Sequence, residues 1–260
     1  MLLNEYADLA VKVLGKNTPY YKYKNIIKEI FAKTIESEEK AITRLVVIDS
    51  FYSTNMSKRN WGIDEVANAI NNFSKNDTEL SQMALDFIKD PDGETEIFKI
   101  LNNVYGYRKD GEQFGKASSL ISKYFYFITS FQFPIYDRLV KISYGKLQKR
   151  FPEYNLVDLE KQCNVQFFSS IKNLNYLSSI NDYNKLDNLL WLYGKVTTGS
   201  FSLIFSSEIY LELTKYIKNS DSEKEIDNKL RNSIKDNLYN TEMTELLGVD
   251  FINFCKFCFT

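Results

Sequence analysis

Apolar residues recur along this chain at spacings of three and four, the period that lays one side of an α-helix against a core. The stretch from Leu3 to Leu14 ends at Gly15, and a second amphipathic stretch opens near Pro19 with Ile26, Ile27, Ile30 and Phe31 at helical spacing. Proline suits a first helical turn because its missing N–H would find no partner there. Ser37 followed by Glu38 and Glu39 has the form of an N-cap with an acidic first turn, and it introduces an apolar run through Leu45, Val46, Ile48 and Phe51. The β-branched residues of that run would also suit a strand; the cap and the length favour a helix.

Further helices are expected after Gly62-Ile63-Asp64, over 77–89 up to Pro91-Asp92-Gly93, and over 116–129, 134–150, 158–180 with a break, 186–196, 200–217 and 221–237. The polar interval from Tyr105 to Gly115, with Gly106, Gly111 and Gly115, reads as a loop or an irregular hairpin. There is no internal repeat. The best domain boundary is the Phe151-Pro152-Glu153 turn, which is short for a linker. One helical unit over 1–260 is therefore expected, with two lobes (about 1–150 and 151–260) sharing a cleft as the alternative.

Composition strengthens the helical reading. Only 10 glycines and 4 prolines occur in 260 residues, 44% of which are hydrophobic and 15% aromatic, so the expected class is all-α, a compact multi-helix fold with a large core. The most apolar run, Leu120 to Tyr136, carries Lys123 inside it, and the N-terminal stretch lacks the pattern of a secretory leader. The expectation is a cytoplasmic protein that neither spans a membrane nor is secreted. Cys163, Cys255 and Cys258 are too few for a disulfide framework, and Cys255 and Cys258 are expected as free thiols on a terminal helix rather than zinc ligands, so no metal or cofactor is expected.

Two features of charge and chemistry narrow the function. A net charge of −1 requires any nucleic-acid contact to be a local patch. The chain has no histidine, which removes Ser–His and Cys–His nucleophile pairs and the commonest general base, leaving Asp, Glu, Lys, Tyr or Cys to carry any reaction.

Three segments together carry a resemblance. The first is Leu45-Val46-Val47-Ile48-Asp49-Ser50-Phe51-Tyr52-Ser53-Thr54-Asn55-Met56 with Trp61-Gly62-Ile63-Asp64-Glu65-Val66-Ala67. The second is Gly115-Lys116-Ala117-Ser118-Ser119-Leu120-Ile121-Ser122-Lys123-Tyr124-Phe125-Tyr126-Phe127 with Phe133-Pro134-Ile135-Tyr136-Asp137-Arg138-Leu139-Val140. The third is Leu186-Asp187-Asn188-Leu189-Leu190-Trp191-Leu192-Tyr193-Gly194-Lys195. They resemble the OGG-like bacterial branch of the helix-hairpin-helix DNA glycosylase superfamily, in which a Ser-Lys-Tyr helix leads into a Pro-Ile-Tyr-Asp turn. The resemblance touches roughly residues 45–195. Residues 109–115 keep only the glycines of that superfamily's hairpin, so the hairpin expected here is degenerate.

The resemblance implies duplex DNA as partner and excision of a damaged, oxidised base such as 8-oxoguanine, a DNA-repair activity. Asp137 would be the essential carboxylate, Lys123 or Lys116 the nucleophile, and Asn55 a side chain that probes DNA. The two lysines are seven residues apart, so on one continuous helix they would share a face two turns apart. Pro134 and Asp137 also fit ordinary helix initiation.

Two observations stand apart from the resemblance. Arg138, Lys141, Lys146, Lys149 and Arg150 follow Asp137 with no acidic residue among them, which suits either phosphate contact or a solvated helix face. The aromatic cluster from Tyr124 to Phe133 reads mostly as core, with Tyr136 the best candidate to line a pocket for an extruded base. The alternatives to an excision enzyme are a binding module that kept the fold without the chemistry, and a helical protein–protein adaptor acting through the alternating charges of the helix between Asp221 and Lys235.

Overall fold

A computed structural model describes residues 2–33, 39–74, 76–154, 163–215 and 223–259. Ser37 and Glu38, and the parts of expected helices at 158–162, 216–217 and 221–222, lie outside these residues. Among the described residues there are fourteen α-helices and only isolated β-bridges, so the protein is all-α. In chain order they are α1 (Leu3–Val13), α2 (Pro19–Ala32), α3 (Lys40–Tyr52), α4 (Gly62–Phe73), α5 (Asp77–Lys89), α6 (Glu96–Asn102) and α7 (Ser118–Ile128). There follow α8 (Arg138–Arg150), α9 (Val165–Leu177), α10 (Tyr183–Thr198), α11 (Ser207–Lys215), α12 (Glu223–Asp236), α13 (Thr241–Leu247) and α14 (Val249–Phe259). No helix among the described residues is long and apolar enough to cross a membrane.

Two helices are buried on nearly every side, and they hold the rest. In α7 the residues from Leu120 to Phe127 are all buried, the pattern of a helix enclosed by others rather than laid on a surface. Helix α10 packs against α8 on one side and α1 on another. Gly194 permits the α8 approach: a Cβ there would lie 2.9 Å from Ser143 Oγ and 3.0 Å from Leu139 Cβ. Ser143 locks the joint by donating to the Leu190 carbonyl at 2.6 Å. The apolar run through Leu45 and Ile48 is helix α3, as its length suggests, and it packs against α2, α4 and α7.

Several boundaries differ from the sequence expectation for identifiable reasons. The helix expected over 134–150 begins only at Arg138. Ser122 of α7 accepts the Tyr136 N–H at 3.0 Å and keeps that segment extended, and Asp137 then acts as N-cap, accepting the Val140 N–H at 2.9 Å. The helix expected from Lys116 begins at Ser118, because Lys116 is held in a bridge opposite Val104. Helix α10 is longer than expected, running from an Asp182 cap to left-handed Gly199. The 200–206 stretch is a turn in which Leu203 is left-handed and its carbonyl accepts the Tyr20 N–H at 2.9 Å. The helix over Glu96–Asn102, capped by Thr95, was not anticipated from spacing. The interval 105–115 is an irregular hairpin in which Tyr107 bridges both Gln113 and Asn60. On α14, Cys255 is buried and Cys258 half-buried, both free thiols.

Candidate functional site

Helix α7 carries a single charge, and the fold directs it at the first cap of α8. The amine of Lys123 is almost fully buried, 3.6 Å from Asp137 Oδ2, and donates to Ser119 Oγ at 2.8 Å. It also stands 5.3 Å from the ring centre of Tyr52, whose electron-rich face favours a cation. Asp137 is partly open to solvent, and its other oxygen takes the Val140 N–H at the α8 N-terminus. A carboxylate there is oriented by the cap and favoured by the helix dipole. The pair forms the wall of an open cleft of about 540 Å³, lined also by Phe51, Thr54, Trp191 and Lys195.

The opposite rim is a strained turn. Ser53 and Asn55 both adopt left-handed backbone, with φ of 49° and 62°. Buried Asp49 holds them there by accepting from the Met56 N–H at 2.9 Å, the Ser57 N–H at 3.0 Å and the Thr54 hydroxyl. Burial raises the Asp49 pKa, but the hydrogen bonds from Ser57 and Thr54 outweigh it and hold the carboxyl below its ordinary range. The turn leaves Asn55 exposed beside the cleft.

Behind the cleft lies a buried polar network that the sequence reading missed. Lys24 Nζ donates to Asn184 Oδ1 at 2.7 Å and to Asn188 Oδ1 at 3.2 Å, and lies 4.0 Å from Asp187 Oδ2. Tyr20 donates to the same Asn188 at 3.0 Å, and its ring packs 4.4 Å from Trp191 in the cleft lining. Burial pulls the Lys24 amine down to about 8 against the attraction of Asp187, and pushes the Asp187 carboxyl up to about 6. Asp137 pushes Asp187 further in that direction and Lys123 opposes it, so the network and the cleft pair share one electrostatic environment. The signal available in the sequence was Lys24 four residues after Tyr20, a spacing that also fits an exposed helix face.

The other expected site residues divide into three groups. Lys123, Asp137 and Arg138 line the cleft. Lys116 does not: it lies before α7, with Nζ donating to Asn102 Oδ1 at 2.7 Å. Tyr136 faces away as well, edge-on to Phe167 with ring centres 4.9 Å apart, its hydroxyl taking a hydrogen bond from Lys141 at 2.9 Å. The aromatic rings in the cleft are instead Phe51, Tyr52 and Trp191.

On α8, Arg138, Lys146 and Lys149 are exposed, whereas Lys141 is drawn over the Tyr136 ring at 4.5 Å. Arg150 is turned to the C-terminal helix, donating to the Phe257 carbonyl with its guanidinium 4.4 Å from that ring. The basic run therefore splits into an exposed stripe and two side chains held by packing.

The cleft thus combines a buried amine, a capped carboxylate, aromatic walls and a second amine, Lys195. Such a set can supply a nucleophile and stabilise positive charge beside it without histidine or metal ligands. Comparison with protein-family models, curated proteins and solved structures finds no match to this chain.

Proposed function

We propose that the protein is a base-excision DNA glycosylase of helix-hairpin-helix type, binding duplex DNA and working on a nucleotide turned out into the cleft. The observation that carries this reading is the Lys123–Asp137 pair, 3.6 Å apart on the wall of an open cleft. The resemblance across residues 45–195 proposes these residue types for this chemistry, and Arg138 at the cleft, with exposed Lys146 and Lys149 further along the same helix, suits phosphate contact.

In the proposed reaction the ammonium of Lys123 passes one proton through Asp137 to the departing base. The freed amine forms a bond to the sugar carbon as the glycosidic bond breaks, with that bond's electron pair leaving on the base. The product pair is a protonated Lys123–sugar adduct and a neutral base, so atoms and charge balance. Asp137, again ionised, faces the positive charge that develops on the sugar. Tyr52, Phe51 and Trp191 supply the flat apolar surfaces that an unstacked base requires.

The test is base release from a duplex carrying 8-oxoguanine, with other oxidised bases alongside. The wild-type chain is expected to release a base. Asp137→Asn is expected to lower the rate by two or more orders of magnitude, about 3 kcal/mol of transition-state stabilisation. No release from any oxidised duplex, or equal rates for wild type and Asp137→Asn, would refute the assignment. A chain that binds the duplex without releasing a base is a binding module that keeps the fold alone.

A further inference from the structure

The second amine of the cleft, Lys195, takes no part in the proposed reaction, and its surroundings are built. Its helix ends at Gly199, left-handed at φ +80°, where a Cβ would come within 2.3 Å of the Asp227 carbonyl. The chain is thereby pressed against α12 as it turns. Ser200 N–H returns to the Lys195 carbonyl at 3.1 Å, and left-handed Leu203 closes the turn through its carbonyl bond to Tyr20. Between these fixed points Lys195 Nζ donates to Ser200 Oγ at 3.1 Å and to Ser202 Oγ at 3.4 Å, 5.2 Å from the Trp191 ring centre.

The directions of these bonds matter. Each serine oxygen accepts from Lys195 and keeps its own O–H to donate, and neither hydroxyl donates to an acceptor among the described residues. The exposed guanidinium of Arg138 borders both this cleft and an adjoining one of about 610 Å³ that Ser200 also lines. Asp227 lines that adjoining cleft and, with Asp137, attracts Lys195 from a distance, but among the described residues no carboxylate comes within 4.0 Å of Lys195 or Arg138, so both cations keep donors to spare. Two cations and two hydroxyls with a proton to donate meet at one junction, a donor set that suits the clustered anionic oxygens of a phosphate group.

We propose that Lys195, Arg138, Ser200 and Ser202 form a phosphate seat, separate from the Lys123–Asp137 pair. Taken with the glycosylase reading, on which this part rests, the seat holds a phosphodiester adjoining the nucleotide in the cleft. The same chemistry would also accept free phosphate, and the two sources are separable.

The chain has two tryptophans, so Trp61→Phe leaves Trp191, beside Lys195, as the only reporter. In the full chain carrying that change, inorganic phosphate is expected to shift Trp191 emission. Lys195→Met abolishes the shift and Lys195→Arg preserves most of it. In parallel, affinity is measured for a duplex with an abasic analogue whose neighbouring linkage is either a phosphodiester or a neutral methylphosphonate. Wild type is expected to lose about tenfold on the neutral linkage, as a good charged contact is worth. Lys195→Met is expected to lose the same factor on the ordinary duplex and nothing more on the neutral one.

A Trp191 response to phosphate without duplex binding keeps the seat and overturns the DNA reading. Duplex binding that is indifferent to Lys195→Met and to the neutral linkage, with Trp191 silent to phosphate, overturns the seat and keeps the DNA reading.

Discussion

The ammonium of Lys24 and the carboxylate of Asp187 face each other at 4.0 Å between α2 and α10, both removed from solvent. Such a pair is costly to desolvate and more costly to break from one side. Asp187 is raised to about 6, first by burial and then by Asp137, against the attraction of Lys24. A folded-state value above that of the unfolded chain means that the folded chain binds the proton more tightly. This contribution to stability is therefore complete below about pH 4 and is lost as the pH rises through 6, opposite to the usual carboxylate. Removing the group with Asp187→Asn should shift the stability difference from wild type in the variant's favour on going from pH 4 to pH 7. The shift is on the order of 3 kcal/mol, measured by urea unfolding at both pH values. A shift of the opposite sign would show that Asp187 is stabilised as an anion.

Asp49 governs the rim of the cleft. It collects two backbone N–H groups and a hydroxyl from the turn that holds Asn55 at positive φ. Asp49→Ala should cost about 3 kcal/mol in urea unfolding, since buried donors lose a charged acceptor. Asp49→Asn should cost less, because its amide oxygen still accepts. Because the folded-state pKa is depressed, the wild-type contribution of Asp49 is present above about pH 4 and fades as acid titrates the group below it. Equal stability of Asp49→Ala and wild type at neutral pH would remove Asp49 as the anchor of the turn.

Helix α8 supplies a contrast between neighbours. Lys149 is exposed, whereas Arg150 bonds the Phe257 carbonyl and stacks on its ring. Lys149→Ala and Lys146→Ala should each lower the slope of log affinity for duplex DNA against log salt by about 1 while leaving unfolding unchanged. Arg150→Ala should destabilise the chain by about 1–3 kcal/mol with little change in slope. The reverse pattern would place the DNA contact at the α14 end of the helix.

Much of this arrangement is legible in the sequence, and the unread part has a common cause. The 3.6-residue spacing and the scarcity of glycine and proline give the all-α class. The Pro-Ile-Tyr-Asp turn marks Asp137, since a carboxylate at a helix start satisfies local rules that need no tertiary context. Which lysine meets it is set by two residues at the start of α7. Held in an isolated bridge opposite Val104, Lys116 lies before α7 and leaves the helical face that it would have shared with Lys123. Tyr136 lies outside the lining of this cleft because proximity in sequence to Asp137 does not set the side it faces; Ser122 fixes its backbone and Phe167 takes its ring. Lys24 with Asp187 joins segments that no single-helix pattern connects, and Lys195 meets its two serines because the chain turns at left-handed Gly199 where a continuing helix would have carried them away.

The most direct test of the central claim, that Lys123 is the nucleophile held by Asp137, is covalent capture on an oxidised duplex in the presence of borohydride. Borohydride reduces the imine formed between a lysine amine and the opened sugar, and mass spectrometry of the digested adduct locates it. The DNA remnant is expected on Lys123, absent in Lys123→Met, undiminished in Lys116→Ala and much reduced in Asp137→Asn. A remnant on any other lysine, or full capture by Lys123→Met, would contradict the assignment of Lys123.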